Sequence, residues 1–187
     1  MSKGRGARRS SLAVPIRLTP QAWRHLTLLA GRPPEGGGLL GSRGGGVVDR
    51  LWLDCRGQTA PGSYTPDTAS INRLVLPVWR TEGIAPVGFL HSHPPDCPAL
   101  SGADAAYALR LLRALRVRRL LMPLLCGDGS GAFFLRGYAV QALSGGGMRL
   151  RRCRVLPPPL HCVPVRRAQI KKTDARSCAS DKKENAI

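Results

Sequence analysis

The sequence contains no stretch of apolar residues long enough to cross a bilayer, which takes about 20 residues. The basic start (1–11) is followed by only a short apolar stretch (12–16), too brief for the hydrophobic region of a signal peptide. Internal repeats are also lacking, and the 22 glycines and 16 prolines are too many for coiled coils or simple bundles of long helices. We therefore expect a cytoplasmic protein without a membrane partner.

Paired cysteine motifs are absent as well. The six cysteines include no Cys-x-x-Cys pair, and their spacing fits neither a zinc ribbon nor a compact disulfide framework. Because no export signal is recognisable, we expect reduced thiols. Cys126 lies inside an apolar run, which predicts a small buried core residue.

Acidic side chains are scarce: 11 Asp and Glu stand against 29 Lys and Arg, a net charge of +18. Much of the excess lies near the ends, which predicts basic, disordered tails over residues 1–11 and 157–187 around one domain over 12–156. Such charge attracts nucleic acid or an acidic partner, so weak, nonspecific nucleic-acid binding through the tails is one expectation. The alternative is an arginine-rich composition, inherited from a GC-rich genome, with solvated tails.

Hydrophobic periodicity predicts about three helices and a set of strands. Thr19 as a cap, Pro20 at the first helical position and Gly31 as a stop mark the first helix. The helices are predicted over 19–31, 66–80 and 105–116, and the strands over 38–41, 47–55, 86–90, 120–126, 132–143 and 148–156. A glycine turn (44–46) makes the first two strands a hairpin, and residues 56–66 are predicted to be a polar connection. This mixed order favours an α+β fold or a mixed α/β sandwich over a doubly wound parallel sheet.

The third predicted helix carries an arginine at every third position. Arg110, Arg113 and Arg116 lie near one side of it, opposite an apolar face. A solvated helix face explains this row better than a nucleic-acid site does.

The segment after the strand at 86–90 holds two histidines and an acid with informative spacing. On an extended strand, residues i and i+2 project from the same side, so His91 and His93 can present two imidazoles to one point. Asp104, in the first turn of the helix that Ser101 precedes, can swing its carboxylate back towards them. Two histidines and one carboxylate leave one tetrahedral position open, as in a catalytic zinc site suited to amide hydrolysis. The plainer interpretation is one packed and one exposed histidine, with Ser101 and Asp104 forming an ordinary capping box.

These residues resemble the JAMM motif of the MPN/JAB-domain metalloproteases: His-x-His, seven residues, Ser, two residues, Asp, including the proline after the second histidine. An upstream segment, Glu35-Gly36-Gly37-Gly38-Leu39-Leu40-Gly41, is similar to the family's Glu-x-x-Gly-x-Leu-x-Gly element, with the last glycine one position early. The resemblance covers about residues 18–143, and the short connections look like the compact bacterial JAB group. The commoner zinc-protease signature, His-Glu-x-x-His, is absent.

The resemblance implies a single MPN/JAB-like α+β domain in which helices flank a central, mostly antiparallel sheet. It implies one Zn²⁺ per chain, bound by His91, His93 and Asp104. Glu35 would be the general base towards zinc-bound water, and Ser101 would hydrogen-bond the developing oxyanion. Members of the family cleave isopeptide or peptide bonds after the C-terminal glycine of ubiquitin or ubiquitin-like proteins, so a ubiquitin-like modifier or its conjugate is the expected substrate.

Two other functions stay open on the sequence. RadC proteins resemble the same fold and carry His-x-His, which would make the chain a nucleic-acid-associated protein, in keeping with its net charge of +18. RadC-like sequences typically read His-Asn-His-Pro-Ser-Gly, however, where this chain has His91-Ser92-His93-Pro94-Pro95-Asp96. A scaffold that mediates assembly is the third interpretation, disfavoured because the complete ligand set is present.

Overall fold

A computed structural model describes residues 14–29, 35–60, 63–94, 97–127 and 132–158. The strands are β1 (Ile16–Leu18), β2 (Gly37–Ser42), β3 (Val47–Val48), β4 (Arg50–Leu53), β5 (Gln58–Ala60), β6 (Ser63–Thr65), β7 (Ala85–His93), β8 (Arg119–Leu121), β9 (Leu124–Gly127), β10 (Phe133–Ala142), β11 (Met148–Cys153) and β12 (Val155–Leu156). The helices are α1 (Pro20–Leu29), α2 (Thr68–Ser70), α3 (Leu76–Thr81) and α4 (Gly102–Ala114), and a π-helical turn (Ile71–Val75) joins α2 to α3. No helix in this described part is long and apolar enough to span a membrane.

A seven-stranded sheet forms the centre of the fold. Its order is β11-β10-β8-β7-β2-β4, and β9 pairs with both β10 and β7. The pairs are antiparallel except where β7 lies parallel to β8 and β9. Parallel neighbours need a crossover, which α4 provides between β7 and β8. The predicted α+β class, with helices flanking a mostly antiparallel sheet, is therefore confirmed.

Apolar side chains cover both faces of this sheet. Successive residues of a strand point to opposite faces, and the neighbours Leu39 and Leu40, like Phe89 and Leu90, divide accordingly between two buried clusters. The first cluster includes residues of α3, α4 and the π-helical turn. The second includes residues of α1 and of β1 and β3, which form a small sheet in the order β12-β1-β3. Because both of their faces are buried, β2 and β7 hold fixed positions in the sheet. Glu35, two residues before β2, and the histidines at the end of β7 are positioned by these two strands.

The three predicted helices are confirmed, with limits shifted by one to three residues. The hydroxyl of Thr19 accepts a backbone hydrogen bond of 3.2 Å at the start of α1, while the predicted stop, Gly31, lies outside the described residues. Asp67 caps α2. The π-helical turn comes directly before the turn containing Pro77, whose ring nitrogen cannot donate to the preceding turn of helix. The third predicted helix is α4.

The strand predictions need four corrections, and the first is β1, a strand of three residues that no prediction covers. Residues 56–66, predicted to be a connection, hold a hairpin of β5 and β6, whose largely exposed residues give no hydrophobic signal. The predicted strand 120–126 is two strands, divided at Pro123, which has no N–H for the ladder. The predicted strands 47–55 and 148–156 are each divided too, giving β3 and β12 to the small sheet.

Other strand predictions are confirmed. β2 and β4 form the expected antiparallel hairpin, and Cys126 is fully buried. The predicted tails lie outside the described residues except for Pro157 and Pro158, so the domain limits stay a prediction.

Candidate metal centre

The two histidines of the His-x-His segment lie at the end of β7. β2 and β9 flank this end, with His91 opposite Gly37 and Leu124. Both imidazoles project from one side of the strand, with their Nε2 atoms 3.0 Å apart and their rings inclined at 71°. Each side chain is only 6% exposed, so the pair does not consist of one packed and one exposed histidine.

Asp104 reaches the same point from the first turn of α4. Its Oδ1 lies 3.0 Å from Nε2 of His91, and its Oδ2 lies 3.3 Å from Nε2 of His93. The capping box that starts α4 orients this carboxylate, because Oδ2 also accepts a hydrogen bond of 2.6 Å from the backbone N–H of Ser101. The capping box and a metal-binding role for Asp104 are therefore compatible with each other.

The spacing of these three side chains fits a small divalent ion. A tetrahedral zinc site with ligand distances of about 2.1 Å has its ligand atoms about 3.4 Å apart. Here the two Nε2 atoms are 3.0 Å apart, and Asp104 presents Oδ1 at 3.0 Å from Nε2 of His91 and Oδ2 at 3.3 Å from Nε2 of His93. Within the described ranges, His91, His93 and Asp104 are the one group of side chains placed to hold a metal ion. Imidazole nitrogen and carboxylate oxygen are both common zinc donors.

A backbone carbonyl fixes which nitrogen of His93 faces the site. Nδ1 lies 2.9 Å from the carbonyl oxygen of Cys97, so Nδ1 carries the proton that it donates and Nε2 is the nitrogen that faces Asp104. Burial alone would lower the pKa of His93, but the hydrogen bonds to Asp104 and Cys97 raise it to about 9. Burial alone would raise the pKa of Asp104, but hydrogen bonds from His91 and His93 hold it well below its usual value. The carboxylate is therefore charged at neutral pH.

Glu35 approaches the histidines from the segment before β2. Ser92, between the two histidines, holds this segment: its Oγ accepts a hydrogen bond from the N–H of Gly36 (2.9 Å) and donates one to the carbonyl of Gly36 (3.3 Å). Burial raises the pKa of Glu35, and the nearby histidines offset part of that effect. A carboxyl group with a raised pKa is suited to accept and release a proton near neutral pH.

Ser101 lines the same cavity as the other four predicted residues, and this cavity has a volume of about 590 Å³. The oxygen of its hydroxyl accepts the cap hydrogen bond from the backbone N–H of Asp104 (3.2 Å). The hydroxyl proton stays available to donate to an oxygen in the cavity. The cap and the predicted oxyanion contact thus use different parts of one hydroxyl group.

The β5–β6 hairpin lines the cavity too, and the sequence reasoning missed its contribution. Tyr64 of β6 stacks on Phe89, with ring centroids 6.0 Å apart, and donates a hydrogen bond of 2.6 Å to Oδ2 of Asp54. The Asp54 carboxylate also accepts hydrogen bonds from the backbone N–H groups of Arg56, Gly57 and Asp67. One side chain therefore ties the end of β4 to the hairpin and to the start of α2. An Asp followed closely by Gly is a turn signal, the one local cue to this network.

No protein-family model matches the sequence, and no curated protein matches it. Solved structures do match. A protein from Desulfitobacterium hafniense is 20% identical with a TM-score of 0.56, over 78% of this chain and 96% of that one. A protein from Salinibacter ruber is 17% identical with a TM-score of 0.49, over 80% of this chain and 95% of that one. A JAB1/MPN domain protein from Archaeoglobus fulgidus is 17% identical with a TM-score of 0.39, over 75% of this chain and 99% of that one.

Of these three likenesses, only the first has a TM-score above 0.5. An identity of 20% establishes a common fold and leaves the chemistry to be derived from the residues themselves. The chain therefore shares its α+β fold with the Desulfitobacterium hafniense protein and carries, at the end of its central strand, a cluster of two histidines and one aspartate suited to a metal ion.

Proposed function

We propose that the chain is a zinc-dependent peptidase or isopeptidase of the JAMM type, which hydrolyses the bond after the C-terminus of a ubiquitin-like modifier. The observation that carries the proposal is the convergence of His91, His93 and Asp104 in the cavity that Glu35 also lines. Three protein ligands leave a tetrahedral ion one open position, which is the arrangement of a catalytic site. The sequence resemblance to the JAMM motif supports the same reaction.

The residues of the chain divide the work of this hydrolysis. His91, His93 and Asp104 would hold the zinc ion, which would supply Lewis-acid chemistry towards the scissile carbonyl and a water. Glu35 accepts a proton from the attacking water and delivers it to the leaving amine. Burial raises the pKa of Glu35 above its ordinary value, which makes its carboxylate a stronger base. Ser101 donates its hydroxyl proton to the substrate oxygen that gains negative charge.

The residues that line the cavity suit an extended substrate. Residues of strand β6 and of helix α4 line it, among them Tyr64 and Tyr107. A peptide in extended conformation can lie along a strand and present one carbonyl to the metal. The C-terminal tail of a ubiquitin-like modifier is such a peptide, so deconjugation or precursor processing is the reaction that we propose.

The test combines metal analysis with cleavage assays on the purified chain. The substrates are a panel of ubiquitin-like proteins, each fused at its C-terminus to a reporter protein. We expect about one zinc per chain and cleavage that a chelator abolishes and added zinc restores. Zinc-free protein that cleaves at the full rate would refute the proposal.

Two glutamate variants sharpen this test. Glu35→Gln should keep its zinc and lose at least about 100-fold in kcat, because the general base is removed while the ligands remain. Glu82→Gln is the matched control, since the Glu82 carboxylate pairs with Arg43 (3.2 Å) and does not line the cavity. Glu82→Gln should cleave like the wild type. Cleavage by Glu35→Gln at the wild-type rate would sink the assignment.

A further inference from the structure

Arg110 lies on α4, six residues beyond Asp104, and lines the cavity of the candidate metal centre. Its guanidinium carbon is 5.5 Å from the centre of the Tyr107 ring. Tyr107 packs edge-on against Phe89 in turn, with ring centroids 5.3 Å apart. A guanidinium that stacks on an aromatic ring keeps its in-plane N–H donors free for other partners. The two rings therefore hold a cation at the cavity with its hydrogen-bond donors available.

The charge of Arg110 is not neutralised within the part of the chain that the structure describes. It forms no ion pair with any described carboxylate, unlike Arg43, which faces Asp49 and Glu82. Arg113, one turn further along α4, instead donates a hydrogen bond of 3.3 Å to the carbonyl of Gly146, outside the cavity. All three arginines of the row are exposed, as predicted, and only its first member lines the cavity.

The remaining charged or titratable groups around the cavity, counted over the described residues, belong almost entirely to the metal centre. They are Glu35, His91, His93 and Asp104, with Cys97 and the two tyrosines as weaker acids. Arg110 is the single Lys or Arg among the described lining residues. Because Arg110 pairs with none of the described carboxylates, its charge is available to a substrate.

The helix sets the distance between this cation and the reacting bond. Six residues of α-helix rise about 9 Å. An extended peptide advances about 3.3 Å per residue. A substrate that runs from the metal centre along α4 therefore passes Arg110 about two to four residues from the scissile bond.

We propose that Arg110 is a specificity-determining residue that selects substrates with a Glu or Asp side chain about two to four residues from the scissile bond. The inference rests on the proposed hydrolase function and defines the chemistry of its substrate. A carboxylate forms two charge-assisted hydrogen bonds with a guanidinium, whereas a lysine at the same place is repelled. For an exposed pair, the expected preference is about fivefold.

Internally quenched peptides test this preference by cleavage. Each peptide carries Glu, Gln or Lys at one position two, three or four residues before or after a Gly-x bond. With the wild-type chain, kcat/KM for Glu should exceed that for Gln about fivefold at one of these positions, with Lys lower still, and the ratio should shrink as salt is added. Arg110→Glu should reverse the order, and Arg113→Glu, the same charge change one turn away, should keep it. An unchanged order in Arg110→Glu overturns the proposal.

Binding separates this inference from the hydrolase proposal. Fluorescence anisotropy of labelled Glu, Gln and Lys peptides on zinc-loaded Glu35→Gln chain measures the preference without turnover. If the wild type cleaves neither fusions nor peptides, the hydrolase proposal fails. The role of Arg110 is still supported if the Glu35→Gln chain binds the Glu peptide most tightly and the double variant Glu35→Gln/Arg110→Glu reverses that order of affinities. Equal Kd values for the three peptides overturn that role. Unchanged zinc content and Tm establish that Arg110→Glu is folded.

Discussion

At the scale of single residues, the candidate centre depends on groups that bind no metal. Ser92 clamps Gly36 and so positions the carboxyl of Glu35. Ser92→Ala removes both side-chain hydrogen bonds, each worth about 1 kcal/mol. We expect kcat to fall about tenfold while zinc content stays at the wild-type level. Steady-state kinetics and metal analysis on the same preparation check both quantities.

Ser42 offers the matched control for this substitution. It is a buried serine, and its hydroxyl bonds to Gly44 at the opposite end of β2. Ser42→Ala should leave kcat unchanged. If Ser92→Ala lost zinc along with activity, Ser92 would be supporting the ligands and not Glu35.

A second prediction at this scale concerns metal removal. His91→Ala deletes one of three protein ligands, so zinc affinity should fall by at least about 100-fold. His25→Ala is the control, because His25 lies on α1 and its Nδ1 is 3.3 Å from the carbonyl oxygen of Leu51. Competition with a chromophoric chelator measures both affinities. Equal affinities in the two variants would contradict the ligand assignment.

The convergence of His91, His93 and Asp104 follows from local rules, which is why the sequence predicts it. A strand places i and i+2 on one side, and a helix cap turns an acid of the first turn back towards the preceding segment. The bond between Ser92 and Gly36 joins residues 56 positions apart, so it depends on the pairing of β2 with β7. No local pattern carries that information.

At the scale of elements, β7 lies so close to β8 that no side chain can be added between them. A Cβ at Gly88 would overlap the carbonyl oxygen of Leu121, its partner in the pairing. Gly88→Ala should lower the free energy of unfolding by about 3 kcal/mol, measured as a lower midpoint in urea. Gly145→Ala is the control, because a Cβ there meets no atom within 4 Å. Equal urea midpoints for the two variants would contradict the prediction, because they would show that β7 and β8 can move apart to accept the added methyl group.

The β5–β6 hairpin depends on Asp54 in the same way. Asp54→Asn keeps the shape of the side chain but replaces one oxygen with an NH₂ group, and each oxygen of Asp54 accepts at least two hydrogen bonds. Two donors are left unpaired, at about 2 kcal/mol in total. We expect proteolysis within residues 58–65 to speed up at least about tenfold, monitored by mass spectrometry. Asp49→Asn, which changes an acid that pairs with Arg43 away from the hairpin, should be proteolysed at the wild-type rate.

Helices and long strands are predictable where their own residues carry the signal. α1 and α4 begin at Thr19 and Ser101 caps, which the sequence shows directly. β5 and β6 are short and exposed, so their pairing leaves no hydrophobic pattern, and β1 has only three residues. The division of 120–126 follows from Pro123, a signal that an uninterrupted apolar run conceals.

At the scale of the whole molecule, the charge is unevenly distributed along the chain. Asp104 is the last acidic residue that the structure describes. The described residues after it include arginines at positions 110, 113, 116, 118, 119, 136, 149, 151, 152 and 154. Arg149 and Arg152 are exposed on β11, which is an edge of the main sheet. The folded part therefore adds its own positive surface to that of the two ends.

We expect this surface to bind double-stranded DNA with an affinity that falls steeply with salt. The double variant Arg149→Glu/Arg152→Glu should bind more weakly, and the slope of log Kd against log salt should drop by about two. Fluorescence anisotropy between 50 and 200 mM salt is the measurement, with Arg73→Glu/Arg80→Glu as the charge-matched control. Identical slopes for the two double variants would contradict a role for β11.

The same assay bears on the RadC-like alternative. Salt-dependent affinity that survives removal of residues 1–13 and 159–187 would favour a nucleic-acid-associated function. If the DNA affinity is lost with those segments, the binding is only nonspecific electrostatic attraction by the two ends. The hydrolase proposal is independent of either result, since it rests on the metal centre.

The carboxylate of Asp104 has two structural roles, and this limits which substitutions the sequence can accumulate during evolution. Asp104 both completes the start of α4 and faces two imidazoles. A lineage no longer selected for the proposed hydrolysis can exchange the imidazoles without losing the helix cap, whereas exchanging the acid also leaves the Ser101 N–H without its acceptor. Pseudoenzymes descended from this sequence should therefore retain an acid or amide at position 104 long after both histidines have drifted.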